Sequence, residues 1–189
     1  MRRLFKTRGM TMIELVMAIV LLNIVILTGI SIEMGMRRIF TSTDIEAQLL
    51  GEAGPILSLL SRAVIPAIGD GRSGFEAYRA VTSGTDSLLY VYADAGTLGV
   101  RDSGDREILF NLSSTNVGQP RFYYSANTST GISEMLSSHV ALFNVNLDDT
   151  TGLLDISMDL RSNISQAVSV TNPGTIVTTR LRSRCATWQ

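Results

Sequence analysis

Residues 10–32 read MTMIELVMAIVLLNIVILTGISI, and Glu14 is the one ionisable side chain among them. As a helix, this run of 23 residues would be roughly 34 Å long at about 1.5 Å per residue. That is enough to cross the roughly 30 Å hydrocarbon core of a bilayer, so the run predicts a membrane-spanning helix. Residues 1–9, MRRLFKTRG, hold Arg2, Arg3, Lys6 and Arg8 and no acid. Four basic residues before the run, against Arg37 and Arg38 beyond it, predict a cytoplasmic N-terminus with the rest of the chain outside. An ordinary secretory signal has a shorter apolar core followed by a small-residue cleavage site. Ile30-Ser31-Ile32-Glu33 offers no such site.

Composition narrows the remaining choices. The 189 residues include one Cys and one His, which argues against an internal disulfide framework, a CxxC metal site or a His-rich centre. The net charge is −1; without the four cations of residues 1–9, twelve basic residues face seventeen acidic ones, about −5 in all. Such a balance gives no field to hold nucleic acid. No cofactor and no metal are expected.

Glu14 is the residue that asks for a function. A carboxylate inside a membrane helix costs on the order of 2.5–3.5 kcal/mol on insertion scales, and such residues are functional by default. No Lys, Arg or His lies within helical reach inside the run. If the leader is cut after Gly9, Met10 carries a free amino group one turn from Glu14. The better partner is then the amine of a neighbouring copy displaced by about a turn, so that acid and amine satisfy each other on assembly.

Gly9-Met10-Thr11-Met12-Ile13-Glu14-Leu15-Val16 resembles the prepilin-type cleavage and methylation signature of type IV pilins and type II secretion pseudopilins. The resemblance is close over residues 1–32 only. It implies that prepilin peptidase cuts after Gly9, that Met10 is the methylated terminus, and that Glu14, with Thr11 beside it, serves assembly. The usual first mature residue in that family is phenylalanine; here it is Met10. The resemblance further implies other pilin or pseudopilin subunits and an inner-membrane assembly platform as partners, with membrane lipid around the helix before assembly. The expected location is the inner membrane, single-pass, with the head in the periplasm or at the cell surface and finally in a pilus or pseudopilus. Many major pilins close a C-terminal loop with two cysteines, which Cys185 alone cannot do. The irregular head and missing cysteine pair look more like the J-type minor subunits.

The expected fold class is α+β: one long N-terminal helix, its first half transmembrane, packed on an antiparallel β-sheet head. The expected divisions are a leader 1–9, a transmembrane and assembly helix 10–32, an amphipathic continuation 33–65 and a β-rich head 66–189. Ile32, Met36, Ile39, Leu50, Leu57, Leu60 and Val64 fall near one stripe, with Arg38, Asp44, Glu46, Glu52 and Arg62 free to face away. Gly54-Pro55 predicts a kink or break. Alternating runs predict strands at Ser87–Ala93, Glu107–Leu112, Arg121–Ser125, Val140–Leu147, Leu154–Leu160 and Thr175–Leu181. No helical stripe lies between them, which favours antiparallel sheet over βαβ units.

Three further patterns point to no chemistry. Gly69-Asp70-Gly71-Arg72-Ser73-Gly74 spells G-x-G-x-x-G but lacks the preceding strand and following helix of a dinucleotide site, and reads as a loop. Asp102, Asp105 and Glu107 lack the spacing of a calcium loop and read as a solvated hairpin turn. His139 has no G-x-S-x-G partner and reads as a surface residue at a strand start. The chain is therefore not expected to be an enzyme. The alternative to a polymerising subunit is a single-pass anchored extracytoplasmic binding protein, adhesin or enzyme that does not polymerise.

Overall fold

A computed structural model describes residues 10–70, 76–83, 86–95, 99–113, 119–148 and 151–187. The leader with Gly9, residues 71–74 of the glycine-rich motif, and Trp188 lie outside the described residues. Among the described residues are one long α-helix, α1 (Met12–Val64), and ten strands. These are β1 (Ile68–Asp70), β2 (Tyr78–Ser83), β3 (Asp86–Ala93), β4 (Arg106–Ser113), β5 (Arg121–Ser125), β6 (Glu134–Ser137), β7 (Val140–Asp148), β8 (Leu153–Arg161), β9 (Gly174–Arg182) and β10 (Cys185–Thr187). The fold is α+β, a long apolar N-terminal helix packed on antiparallel sheet, as expected. The chain divides into two units, one up to Thr41 and one from Ser42 onward.

The first unit contains only the N-terminal part of α1. Every described residue from Met10 to Thr41 is exposed, including Leu15, Val16, Leu21, Leu22, Ile24 and Leu27. Thr28 Oγ1 donates to Ile24 O at 2.7 Å and Ser31 Oγ to Leu27 O at 2.9 Å. These back-bonds keep the hydroxyls satisfied without water. The first ion pair along the helix is Glu33–Arg37 at 2.6 Å, one turn apart.

In the second unit α1 buries Leu49, Ala53, Ile56, Leu60, Ala63 and Val64. This 3–4 spacing is a core stripe; it shares Leu60 and Val64 with the expected one, and Leu57 packs partly buried against it. Leu50 is 52% exposed, and Ile32, Met36 and Ile39 are exposed as well. The expected stripe passes over Leu49, Ala53, Ile56 and Ala63, all of which are buried. Glu52, expected to face away, is half-buried.

Pro55 lies inside the helix without breaking it. A proline removes one N–H and crowds the carbonyl four residues back. That carbonyl belongs to Gly51, and Gly51, Gly54 and Pro55 are all exposed. Water can therefore satisfy the freed acceptor. Pro66 follows just beyond the helix end, where a proline cannot continue it.

β2 to β6 form a five-stranded antiparallel sheet in sequence order, and β7-β8-β9 a three-stranded one. Their apolar faces meet over the helix in one core, with Phe110 and Phe122 from one sheet and Phe143, Met158 and Leu160 from the other. The Phe122 and Phe143 rings lie 4.8 Å apart, joining the sheets. Each of the six expected strands is present. Beside these antiparallel sheets, β1 and β10 add a short parallel pair, with Ile68 opposite Cys185. Arg184 N donates to Ile65 O at 2.9 Å, and Ser183 Oγ donates to Ala67 O. These bonds fasten the C-terminal segment to the residues just after the helix.

Candidate functional site

Thr11 stands immediately before α1. Its side-chain oxygen accepts from Glu14 N at 3.4 Å, while Glu14 Oε2 accepts from Thr11 N at 2.8 Å and from Thr11 Oγ1 at 3.0 Å. This is a capping box, in which the residue before the helix and the third residue inside it each satisfy the other's backbone N–H. The carboxylate also lies at the positive end of the helix dipole. Sequence reasoning sought Glu14's partner in a neighbouring chain and missed this one, although the spacing Thr-x-x-Glu announces it. Met10 is 63% exposed; Gly9 lies outside the described residues.

Beyond the cap, α1 has an 18-residue window of mean hydropathy 2.7, none of it buried. Among the described residues, one helix, near the N-terminus, is thus long and apolar enough to span a membrane. Asn23 lies within it, two and a half turns past Glu14 and hence on roughly the opposite face. The cap, the exposed apolar surface and this amide make up the candidate site. It sets an acid and an amide on an otherwise apolar, exposed surface.

Other clusters prove to be structural. His139 Nδ1 lies 2.9 Å from Glu52 Oε1, and Ser137 Oγ donates to Glu52 Oε2 at 2.8 Å. Serine and imidazole both turn to the carboxylate rather than to each other, so this is not the order of a nucleophilic triad. His139, expected at the surface, is therefore tied to the helix. Asp105 corrects the solvated-turn expectation. Its side chain is 0% exposed, and it accepts from Ala95 N at 3.1 Å and Asp102 N at 2.7 Å. Arg101 lies 3.6 Å from it and 3.7 Å over the Tyr92 ring. Burial, and then the Glu107 carboxylate, pushes the Tyr92 phenol above its ordinary range. Glu107 also accepts from Thr128 Oγ1 at 2.9 Å. The acids thus hold loops together. Among the described residues no group of three or more His, Cys, Asp or Glu is placed to hold a metal.

No family model, curated protein or solved structure matches the chain.

Proposed function

We propose that this chain is a structural subunit, a minor pilin or minor pseudopilin, of a type IV pilus or type II secretion-like filament. The observation that supports it most is an acid at the head of a helix whose residues from Met10 to Thr41 are all exposed. In this reading prepilin peptidase cuts after Gly9, and the helix waits in the inner membrane with the head outside. It then leaves lipid for a bundle of like helices, where small changes in apolar contact replace lipid contact and polar groups add register. The Met10 amine of one copy meets Glu14 of the next. Asn23, on the other face, meets a second neighbour, so each subunit has polar contacts on two sides, as a growing filament requires.

A permanent anchor is the second reading, and one observation favours it: Thr11 already satisfies Glu14 within the chain. Glu14→Gln separates the two. The amide can still accept from Thr11 N, so an anchor keeps its helix start, its membrane insertion and its activity. A filament subunit inserts normally but is lost from sheared filaments or from cross-linked assemblies. Normal incorporation of Glu14→Gln ends the filament reading.

A further inference from the structure

The outer face of the five-stranded sheet holds a hollow of about 340 Å3 between β4 and β5. It is lined by Asn111, Ser113, Tyr123, Tyr124, Ser125 and Ser133, with Leu109 beneath. The strand register explains the grouping. Asn111 lies opposite Tyr123 and Leu109 opposite Ser125, while Leu109, Asn111 and Ser113 share one face by the two-residue period of a strand. Along a regular strand, consecutive Tyr123 and Tyr124 would point to opposite faces. That holds here: Tyr124 lies opposite Phe110, its ring 5.2 Å away against the core, so Tyr123 is the tyrosine that shares the outer face with Asn111.

Two features ask for a ligand. The Oδ1 atom of Asn111 is buried and has no hydrogen-bond partner among the described residues. An unpaired buried acceptor costs about 1–3 kcal/mol and calls for an explanation. Its terminal torsion is broad, so the amide can turn to offer its oxygen or its N–H2 group. The second feature is the lining, which carries hydroxyls, an amide and phenol rings but no charged side chain. A phosphate, a carboxylate or a metal ion would find no opposite charge on these side chains, which favours a neutral occupant. The volume falls within the range of small-ligand clefts, about 300–1,000 Å3.

We propose that this hollow binds a neutral sugar residue of a glycan. The Asn111 amide pairs with adjacent hydroxyls, accepting from one and donating to the next. Ser113 and Ser133 supply further hydroxyl contacts, and Tyr123 gives an apolar ring for the C–H face of the pyranose. This proposal is independent of filament assembly, since it concerns the head alone.

The test uses the full chain in phosphocholine micelles, which contain no sugar headgroup, titrated with neutral oligosaccharides of glucose, galactose, mannose and N-acetylglucosamine. Sialyllactose is the charged comparison. Isothermal titration and amide chemical shifts provide the readouts. Saturable binding of at least one neutral glycan is expected, weakened at least about tenfold, roughly 1.4 kcal/mol, by Asn111→Ala and by Tyr123→Leu, which keeps apolar bulk in place. Ser157→Ala, on the other sheet, should leave it unchanged. Absence of binding by every neutral glycan at millimolar concentration overturns the proposal. So does a preference for sialyllactose, or affinity unchanged in both variants of the hollow.

Discussion

Glu52, on the helix, and His139, just before β7, lie 2.9 Å apart, so the helix is tied to the link between the two sheets by a polar clasp. Both side chains are more than a third exposed, and pairs in that setting contribute about 0.2–1 kcal/mol. Glu52→Ala also removes the acceptor of Ser137 Oγ. We expect a loss of about 1 kcal/mol in chemical denaturation, with His139→Ala costing less. A loss several-fold larger would mean that the clasp organises the sheets and does more than fasten them.

Tyr78 is fully buried, and its hydroxyl donates to Gly152 O, the residue that turns the β7–β8 connection at φ 66°. Burial pushes this phenol above its usual value, against smaller opposing pulls from the Ser183 backbone and the Arg182 charge. The folded state therefore holds the proton more tightly than the unfolded chain. Stability is intact below the unfolded value, near 10, and falls as pH rises through it. Tyr78→Phe should cost about 1–2 kcal/mol at neutral pH by leaving Gly152 O unpaired, yet flatten the alkaline decline seen in thermal melts. An alkaline decline of unchanged steepness would assign it to other groups.

Asn172 is 1% exposed and stitches the β8–β9 connection. Its amide nitrogen shares its two hydrogens among Asn163 O at 2.9 Å, Gln166 O at 3.1 Å and Ala167 O at 3.2 Å, while its oxygen accepts from Asn163 N at 2.8 Å. Asn172→Ala should destabilise the head by about 2–3 kcal/mol, from the groups left unpaired. It should also speed amide exchange at Asn163 first. Exchange unchanged there would show that the loop does not depend on this residue.

Gly9→Val should leave the chain at precursor size if prepilin peptidase is the processing enzyme, and the wild-type mature chain should begin at Met10. Intact mass settles both. A mature product starting elsewhere would contradict the processing step, and with it the free amine that the filament reading needs.

Most strands were legible because one face is buried and the other wet: β8 alternates without a fault from Leu153 to Arg161. β2 was not, because Arg79, Ala80 and Thr82 give it no apolar alternation, and its pairing with β3 supplies what its pattern lacks. The short β1 and β10 depend on each other across nearly the whole head, a relation no local window contains. The helix face was legible in part: Leu57, Leu60 and Val64 lie in or against the core, while the equally apolar Ile32, Met36 and Ile39 are exposed, and periodicity alone does not tell a covered turn from a bare one. At the candidate site, the oddity of Glu14 was plain from hydropathy alone. Its reciprocal bonds with Thr11 were also written in the spacing, but attention to charge partners hid a backbone one. The hollow at Asn111 needed the register of β4 against β5, which composition does not reveal.

The pairing of β1 with β10 has a consequence in time. A chain made from its N-terminus delivers Ile68–Asp70 more than a hundred residues before Cys185–Thr187. Contacts so distant in sequence form late. The first strand after the helix thus waits, unclosed, until the segment around Cys185 has emerged, and a head cut short before that segment would leave the seam open.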